Sequence, residues 1–308
     1  MSKLSTETDD EFDEIITLPD PSAMRKYQQL VGLEEIKQTI LKTASFWLKQ
    51  DQLNKWSEKY YNKQLNLVQR FNELPPLFIF TGDVGTGKTS LAETFGDTIA
   101  RSHKISVSLF RLSLTARGQG AVGEMTRRLT KAFAFVKEQA QKNKNGGVIL
   151  LIDEADAIVQ SREYGQMHHE DRAGVNAVIR GIDSLSGENL PVVVIMCTNR
   201  SSALDPAVKR RAAQIFDFSR PNDKQRAEIL SKNLAEVDFT KDEIEELVKA
   251  TGPRGQNNYG FTYSDLVQRY LPSLLIEAVP EKKIRFEDAL RIAHATPPTP
   301  PFQDQTAL

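Results

Sequence analysis

The stretch LFIFTGDVGTGKTS, Leu77 to Ser90, decides the fold. Four apolar residues, Leu77 to Phe80, run straight into a loop with glycines at 82, 85 and 87, followed by Lys88 and Thr89. The apolar run reads as a buried strand, and the residues after Lys88 read as a helix. Gly82 to Thr89 fits the spacing G-x-x-x-x-G-K-[ST]. Glycine lets a backbone turn successive N–H groups inward to form an anion nest, and the positive end of the next helix adds to it. The pattern points to a phosphate ligand. Asp83, Val84, Gly85, Thr86, Gly87 and Ser90 would surround it, Lys88 would meet it as a cation, and the Thr89 hydroxyl would serve Mg2+.

Strand and helix alternate on either side of this loop. EEIKQTILKTASFWL has helical apolar spacing, ISVSLFRL reads as a strand and EMTRRLTKAFAFVKEQA as a helix whose phenylalanines pack beneath the sheet. GVILLID and PVVVIMCTN are apolar strands around the helix DRAGVNAVIRGIDSL, and QIFDF is a last short strand. Short apolar strands separated by helices predict an α/β fold with a mainly parallel sheet sandwiched by helices. After Pro221 only helical patterns follow, predicting a small all-helical domain. The expected organisation is a disordered acidic tail over 1–22, an α/β domain over 23–220, a helical domain over 221–295 and a disordered proline-rich tail over 296–308.

Two further strand ends carry chemistry. Val148 to Ile152 lead into Asp153-Glu154, and ligands of open α/β sheets sit beyond the carboxyl ends of strands. Asp153 would hold Mg2+ through water and Glu154 would polarise an attacking water. The next apolar strand ends in Thr198-Asn199-Arg200, where the Asn199 amide could contact both a γ-phosphate and that water. Adjacent His168 and His169 do not share a helix face, so they do not make a metal site.

Composition limits the alternatives. The chain has 308 residues, a net charge of −1 and a pI of about 6.5, so no global basic field favours nucleic acid. The single cysteine, Cys197, rules out an internal disulfide framework, reads as inert core and fits a reducing cytoplasm. No apolar run approaches the roughly 20 residues of a membrane span, and the polar, acidic N-terminus is unlike a signal peptide.

With these motifs in hand, the chain resembles the AAA ATPases from about Leu30 to Ala295. GDVGTGKT corresponds to Walker A, LLIDEADA to Walker B, CTN to sensor 1, and LDPAVKRR, Leu204 to Arg211, to the finger segment. LVGLEEIKQTI is similar to the segment that opens such modules, and GFTYSDL, Gly260 to Leu266, to the motif of the helical lid. The resemblance implies a P-loop AAA+ fold with a small helical lid, ATP and Mg2+ as cofactors, and hydrolysis to ADP and phosphate. It places Val31 and Gly32 beside the adenine. It makes Arg210 and Arg211 arginine fingers for the neighbouring subunit's site, and hence implies a homo-hexameric ring. Within the family, GVNAVIRGID, RRAAQIFDFSRP and LVQRYLPSLLIEA are most similar to pachytene-checkpoint-type remodellers of HORMA-domain proteins. Stripped-down bacterial members in antiphage signalling are the nearest in layout, and they imply a HORMA-domain partner that is partly unfolded or disassembled.

Two departures accompany this resemblance. The pore loop GQGAVGEM has Ala121, then Val122 and Gly123, where an aromatic residue is usual, and a small residue grips a peptide poorly. Ser264 stands where the pachytene-checkpoint type has a sensor-2 arginine, leaving Arg269 as a substitute candidate. The rival readings are a nucleic-acid motor or loader, using Arg117, Arg127 and Arg128, and an ATP-gated scaffold.

Overall fold

The computed structural model describes residues 11–49, 51–114, 123–143, 145–157, 169–200, 204–255 and 258–302. They form two compact units, one drawn from 1–28, 35–81 and 89–217, the other from 29–34, 82–88 and 218–308. The segments 29–34 and 82–88, expected in the α/β domain, thus cluster with the helical unit.

The first unit carries the sheet. Its strands are β1 (Glu14–Leu18), β2 (Leu77–Gly82), β3 (Ser106–Ser113), β4 (Gly146–Asp153), β5 (Val192–Thr198) and β6 (Gln214–Phe218), in the order β1-β3-β4-β5-β2-β6. β3, β4, β5 and β2 run parallel, as the apolar runs predict, while β1 is antiparallel to β3. Register aligns their carboxyl ends, with Ser113 opposite Asp153 and Thr81 opposite Thr198. The chemistry-bearing residues therefore emerge along one edge of the sheet.

The helices of this unit are α1 (Pro21–Gln29), α2 (Glu34–Leu48), α3 (Asp51–Tyr61), α4 (Asn66–Asn72), α5 (Lys88–His103), α6 (Glu124–Lys142), α7 (His169–Leu185) and α8 (Pro206–Lys209). Every residue of β4 and β5 is buried, as strands covered on both faces require. On one face, Val148, Leu150 and Ile152 pack with Leu129, Phe133 and Val136 of α6 and Val175, Val178 and Ile182 of α7. The other face is so tightly covered that Gly96 of α5 meets Ile149 and Gly147 meets Leu48 of α2. Cys197 is buried on β5.

The N-terminal segment is not a free tail up to residue 22. Phe12 is 4% exposed, with its ring 5.1 Å from Phe110 and 5.5 Å from Phe135. β1 then adds an antiparallel edge to the sheet. Acidity did not keep this segment in water because its acids find cations: Arg128 donates to Asp13 at 3.1 Å and Lys131 to Glu11 at 2.5 Å.

The second unit contains α9 (Asp223–Asn233), α10 (Lys241–Ala250), α11 (Leu271–Ala278) and α12 (Phe286–Ala295). Capping boxes open α9, from Asn222 and Gln225, and α10, from Thr240 and Glu243. Among the helical patterns expected after Pro221, the stretch leading into α11 is instead a π-helical turn, Asp265–Tyr270. Pro272 follows at once, and a residue with no N–H cannot continue the i to i−4 ladder.

The proline-rich segment is held as far as Phe302, contrary to the expected disorder from 296. Thr299 donates from its N and Oγ1 to the fully buried Asp265 at 3.0 and 2.6 Å, and Arg269 donates to the Pro297 carbonyl at 3.1 Å. Proline leaves its own carbonyls free for such donors, and Thr299 supplies the missing N–H.

Two outcomes are expected. Phe12→Ala removes a buried aromatic and should lower unfolding free energy by about 3 kcal/mol in a denaturant titration. For Asp265, burial raises the carboxyl, but hydrogen bonds from Thr299, Thr262 and Arg269 outweigh it and leave the group below the ordinary range. Its stabilisation is therefore present above the unfolded value and lost as pH falls through the folded one. Asp265→Asn should destabilise at neutral pH and flatten the loss of stability below about pH 4 in acid unfolding.

Candidate functional site

In the second unit the glycine loop closes around a lysine. Lys88 is 6% exposed, and its Nζ donates to the carbonyls of Gly82 and Asp83, each at 2.7 Å. Thr86, also buried, donates from Oγ1 to the Asp83 carbonyl at 2.8 Å. Two glycines are obligatory here. Gly82 has φ +139°, and a Cβ there would run into the Phe218 carbonyl. Gly85 has φ +76°, and a Cβ would lie 2.8 Å from both Thr262 Oγ1 and Ser264 Cβ. Val84 is exposed, and Gly87 faces Leu33 and Leu30.

The same unit brings the opening segment and the GFTYSDL stretch to this loop. Val31 is buried, and Gly32 accepts from Gln225 Nε2 through its carbonyl at 2.5 Å. Ser264 donates its N–H to the Gly85 carbonyl at 3.0 Å. Tyr263 packs over Gly32 with its hydroxyl buried and without a hydrogen-bond partner among the described residues, and burial pushes that hydroxyl's pKa upward. Arg269 donates to Asp265, to the Pro297 carbonyl and to Thr299.

Sequence reasoning did not single out Arg220, which ties this unit together. Its Nε donates to Asp83 Oδ2 at 2.8 Å, and its Nη1 to the carbonyls of Gly260 and Thr299, each at 2.8 Å. The guanidinium also lies 4.8 Å from the Tyr259 ring centroid. Asp83 Oδ1 accepts from the Phe302 N–H at 3.1 Å. The available signal was a lone arginine directly before Pro221.

In the first unit the aligned strand ends carry the acids. Thr89 Oγ1 donates to Asp153 Oδ1 at 3.2 Å, and Ser90 at the start of α5 is exposed. Arg111 donates to Asp153 Oδ2 at 3.0 Å and to Glu93 at 2.7 Å. Burial pushes the Glu93 carboxyl up more than Arg111 pulls it down. Glu154 is exposed with φ +53°, a left-handed conformation that is costly for a residue with a side chain. Ser113 Oγ donates to Glu154 Oε2 at 3.2 Å.

Asp156 is a second residue the motifs did not flag, although it lies in the same DEADA run. It accepts the Asn199 N–H at 3.0 and 3.1 Å and is bonded by the Thr198 hydroxyl. The turn after β4 is thereby fastened to the end of β5. The Asn199 side chain is half-buried. The two finger candidates differ. Arg211 is held in a bidentate pair with Asp183, at 2.6 and 2.9 Å, whereas Arg210 is exposed and has no ion pair among the described residues. Gly123 is the N-cap of α6, with φ +88°. Ala121 and Val122 lie outside the described residues, as do Arg117 and His168.

The donor set fits a nucleotide. A buried cation, a glycine loop and an orphaned tyrosine hydroxyl in one unit offer partners for phosphates and for a polar ring edge. The oxygens of Thr89 and Asp153 suit Mg2+, which takes few protein ligands and completes its shell with water and phosphate. Among the described residues, no group of three or more His, Cys, Asp or Glu could hold a metal ion, and no helix is long and apolar enough to cross a membrane.

Comparison with known proteins agrees with this chemistry. Residues 78–220 match the model of the ATPase family associated with various cellular activities (AAA). The chain is 47% identical over 303 residues to CD-NTase-associated protein 6 of Escherichia coli strain MS 115-1, covering 96% of this chain and 97% of that one. A structure of the E. coli MS115-1 HORMA:CdnC:Trip13 complex contains a chain 47% identical to this one, with a TM-score of 0.88 and coverage of 96% and 98%. C. elegans PCH-2 shares the fold at 18% identity, with a TM-score of 0.63 over 92% of this chain and 74% of that one. The chain belongs to the AAA ATPase family and, within it, to the Trip13-like group of CD-NTase-associated protein 6.

Proposed function

We propose that this protein hydrolyses ATP with Mg2+ as a homo-hexameric ring in the cytoplasm and uses the energy to partly unfold or disassemble a HORMA-domain protein. The observation that carries the ATPase reading is the buried Lys88 inside its glycine loop. A charge withdrawn from water and aimed at a cluster of backbone dipoles is a poor stabilising device but a ready phosphate site. The HORMA reading rests on kinship with the Trip13 chain of the HORMA:CdnC:Trip13 complex.

The roles divide as follows. Lys88 and the N–H groups of 83–90 hold the phosphates, with Val31, Gly32 and the Tyr263 hydroxyl available to the base. Thr89 and Asp153 would hold Mg2+, which when bound neutralises charge developing on the phosphate oxygens. Glu154 accepts a proton from the attacking water. Asn199, fixed through Asp156, presents its amide to the γ-phosphate and that water. Arg210 serves the neighbouring subunit, since Arg211 is engaged by Asp183 of its own chain. Arg128, one of the cations a nucleic-acid motor would need, is taken up by Asp13 and the carbonyls of Glu11 and Ser113.

Glu154→Gln should retain ATP binding while turnover falls by about 10²–10⁴-fold, and Lys88→Ala should abolish binding. With ATP, the Glu154→Gln protein should capture a HORMA-domain protein from its own cells, and Lys88→Ala should not. Capture of nucleic acid without a protein partner would overturn the remodelling reading. In mixing experiments, Arg210→Ala subunits should regain turnover at their own sites beside Lys88→Ala subunits that donate an intact finger. The loss from Arg210→Ala should be about 10³-fold or more, and that from Arg211→Ala smaller. Equal losses would remove the distinction drawn from the Asp183 pair.

A further inference from the structure

Asp83 is an odd residue to find in a phosphate loop. Its carboxylate has the same sign as the ligand the loop is built for, and an uncompensated charge at such a position would repel a polyphosphate. Both of its oxygens are occupied, Oδ2 by Arg220 Nε at 2.8 Å and Oδ1 by the Phe302 N–H at 3.1 Å. Its carbonyl meanwhile accepts from Lys88 Nζ and Thr86 Oγ1. Side chain and carbonyl of one residue therefore connect the loop's cation to two distant stretches of sequence.

Those stretches are themselves anchored. Arg220 holds the Gly260 and Thr299 carbonyls and stacks on Tyr259, and its side chain is 13% exposed. The segment that ends in Phe302 is pinned by Asp265, which is fully buried and accepts from Thr262 N, Thr299 N, Thr299 Oγ1 and Arg269 Nη1. A run of prolines with a single bonded threonine forms a stiff strap, since polyproline loses little entropy when held extended. The strap delivers one N–H, that of Phe302, to Asp83.

We infer that Arg220, together with the strap Pro297–Phe302, is the positioning device of the phosphate loop, neutralising Asp83 and fixing the peptide that orients Lys88. The inference rests on the reading of this loop as the nucleotide site. It assigns to the C-terminal segment a role in nucleotide affinity. Arg220 acts through Asp83 and need not touch the nucleotide.

The test measures equilibrium binding of a fluorescent ATP analogue with Mg2+ to full-length protein, alongside KM and kcat for ATP. Arg220→Met should weaken binding about tenfold, through loss of one charge-assisted pair, with KM rising and kcat within about twofold. Asp83→Asn combined with Arg220→Met should recover most of that loss, because the repelling charge is gone; a purely structural role for Arg220 would not be rescued in this way. Phe302→Pro, which removes the N–H but preserves an extended strap, should weaken binding about threefold relative to Phe302→Leu. This pair carries the test should Arg220→Met fail to show a cooperative thermal transition. Binding by Arg220→Met within twofold of the parent, or a double variant no better than Arg220→Met, would overturn the proposal. Undiminished binding by Lys88→Ala would overturn the site reading and the proposal with it, and separates that failure from a failure of the strap alone.

Discussion

The buried ammonium of Lys88 is the constraint around which the functional end of this chain is arranged. A charge at 6% exposure is tolerated only where oxygens replace its hydration, and the carbonyls of Gly82 and Asp83 do so. The backbone around them adopts angles closed to residues with side chains, with φ +139° at Gly82 and +76° at Gly85. The loop's other side is then held from outside, by Ser264 on the Gly85 carbonyl and by Arg220 on Asp83. The Lys88 ammonium is thus a charge held in place by its surroundings, as preorganised electrostatic sites require.

The acids at the strand ends obey a related rule. Asp153 is buried, so it needs donors, and it has Thr89, Arg111 and the Glu154 N–H. Glu154 is exposed and adopts left-handed backbone angles as the chain leaves β4. Asp156 then closes the turn by accepting the Asn199 N–H. One short acidic run thereby does three jobs: a buried carboxylate, a projecting one, and a brace to the neighbouring strand.

Much of the architecture was legible because burial writes itself into sequence. β4 and β5 are continuous apolar runs since helices cover both of their faces, and α2, α9, α10 and α12 show helical spacing with a single wet face. The positions of the glycine loop of 82–89 and of Asp153, Glu154 and Asn199 at the ends of buried strands were legible too, because the apolar runs lead straight into them. What was missed is short or depends on pairing. β1 has only five residues, and its acidic neighbours look solvated until Arg128 and Lys131 are found beside them. The strap of 297–302 looks disordered until Asp265 is seen beneath it. The π-helical turn of 265–270 was read as ordinary helix, although Pro272 was in plain view.

The sequence by itself determined the buried strands β2 to β5 with the helices between them, the glycine loop, and which acids leave the sheet at its carboxyl edge. These are local matters, settled by the period of apolar residues and by the few backbones that glycine permits. Only the tertiary structure decided which charges are neutralised and which stay available. Asp83 is matched by Arg220, 137 positions away, and Arg211 by Asp183, while Arg210, next to it in the chain, stays exposed. Ion pairing depends on distance in space, and separations in space are fixed only once the strands and helices have packed.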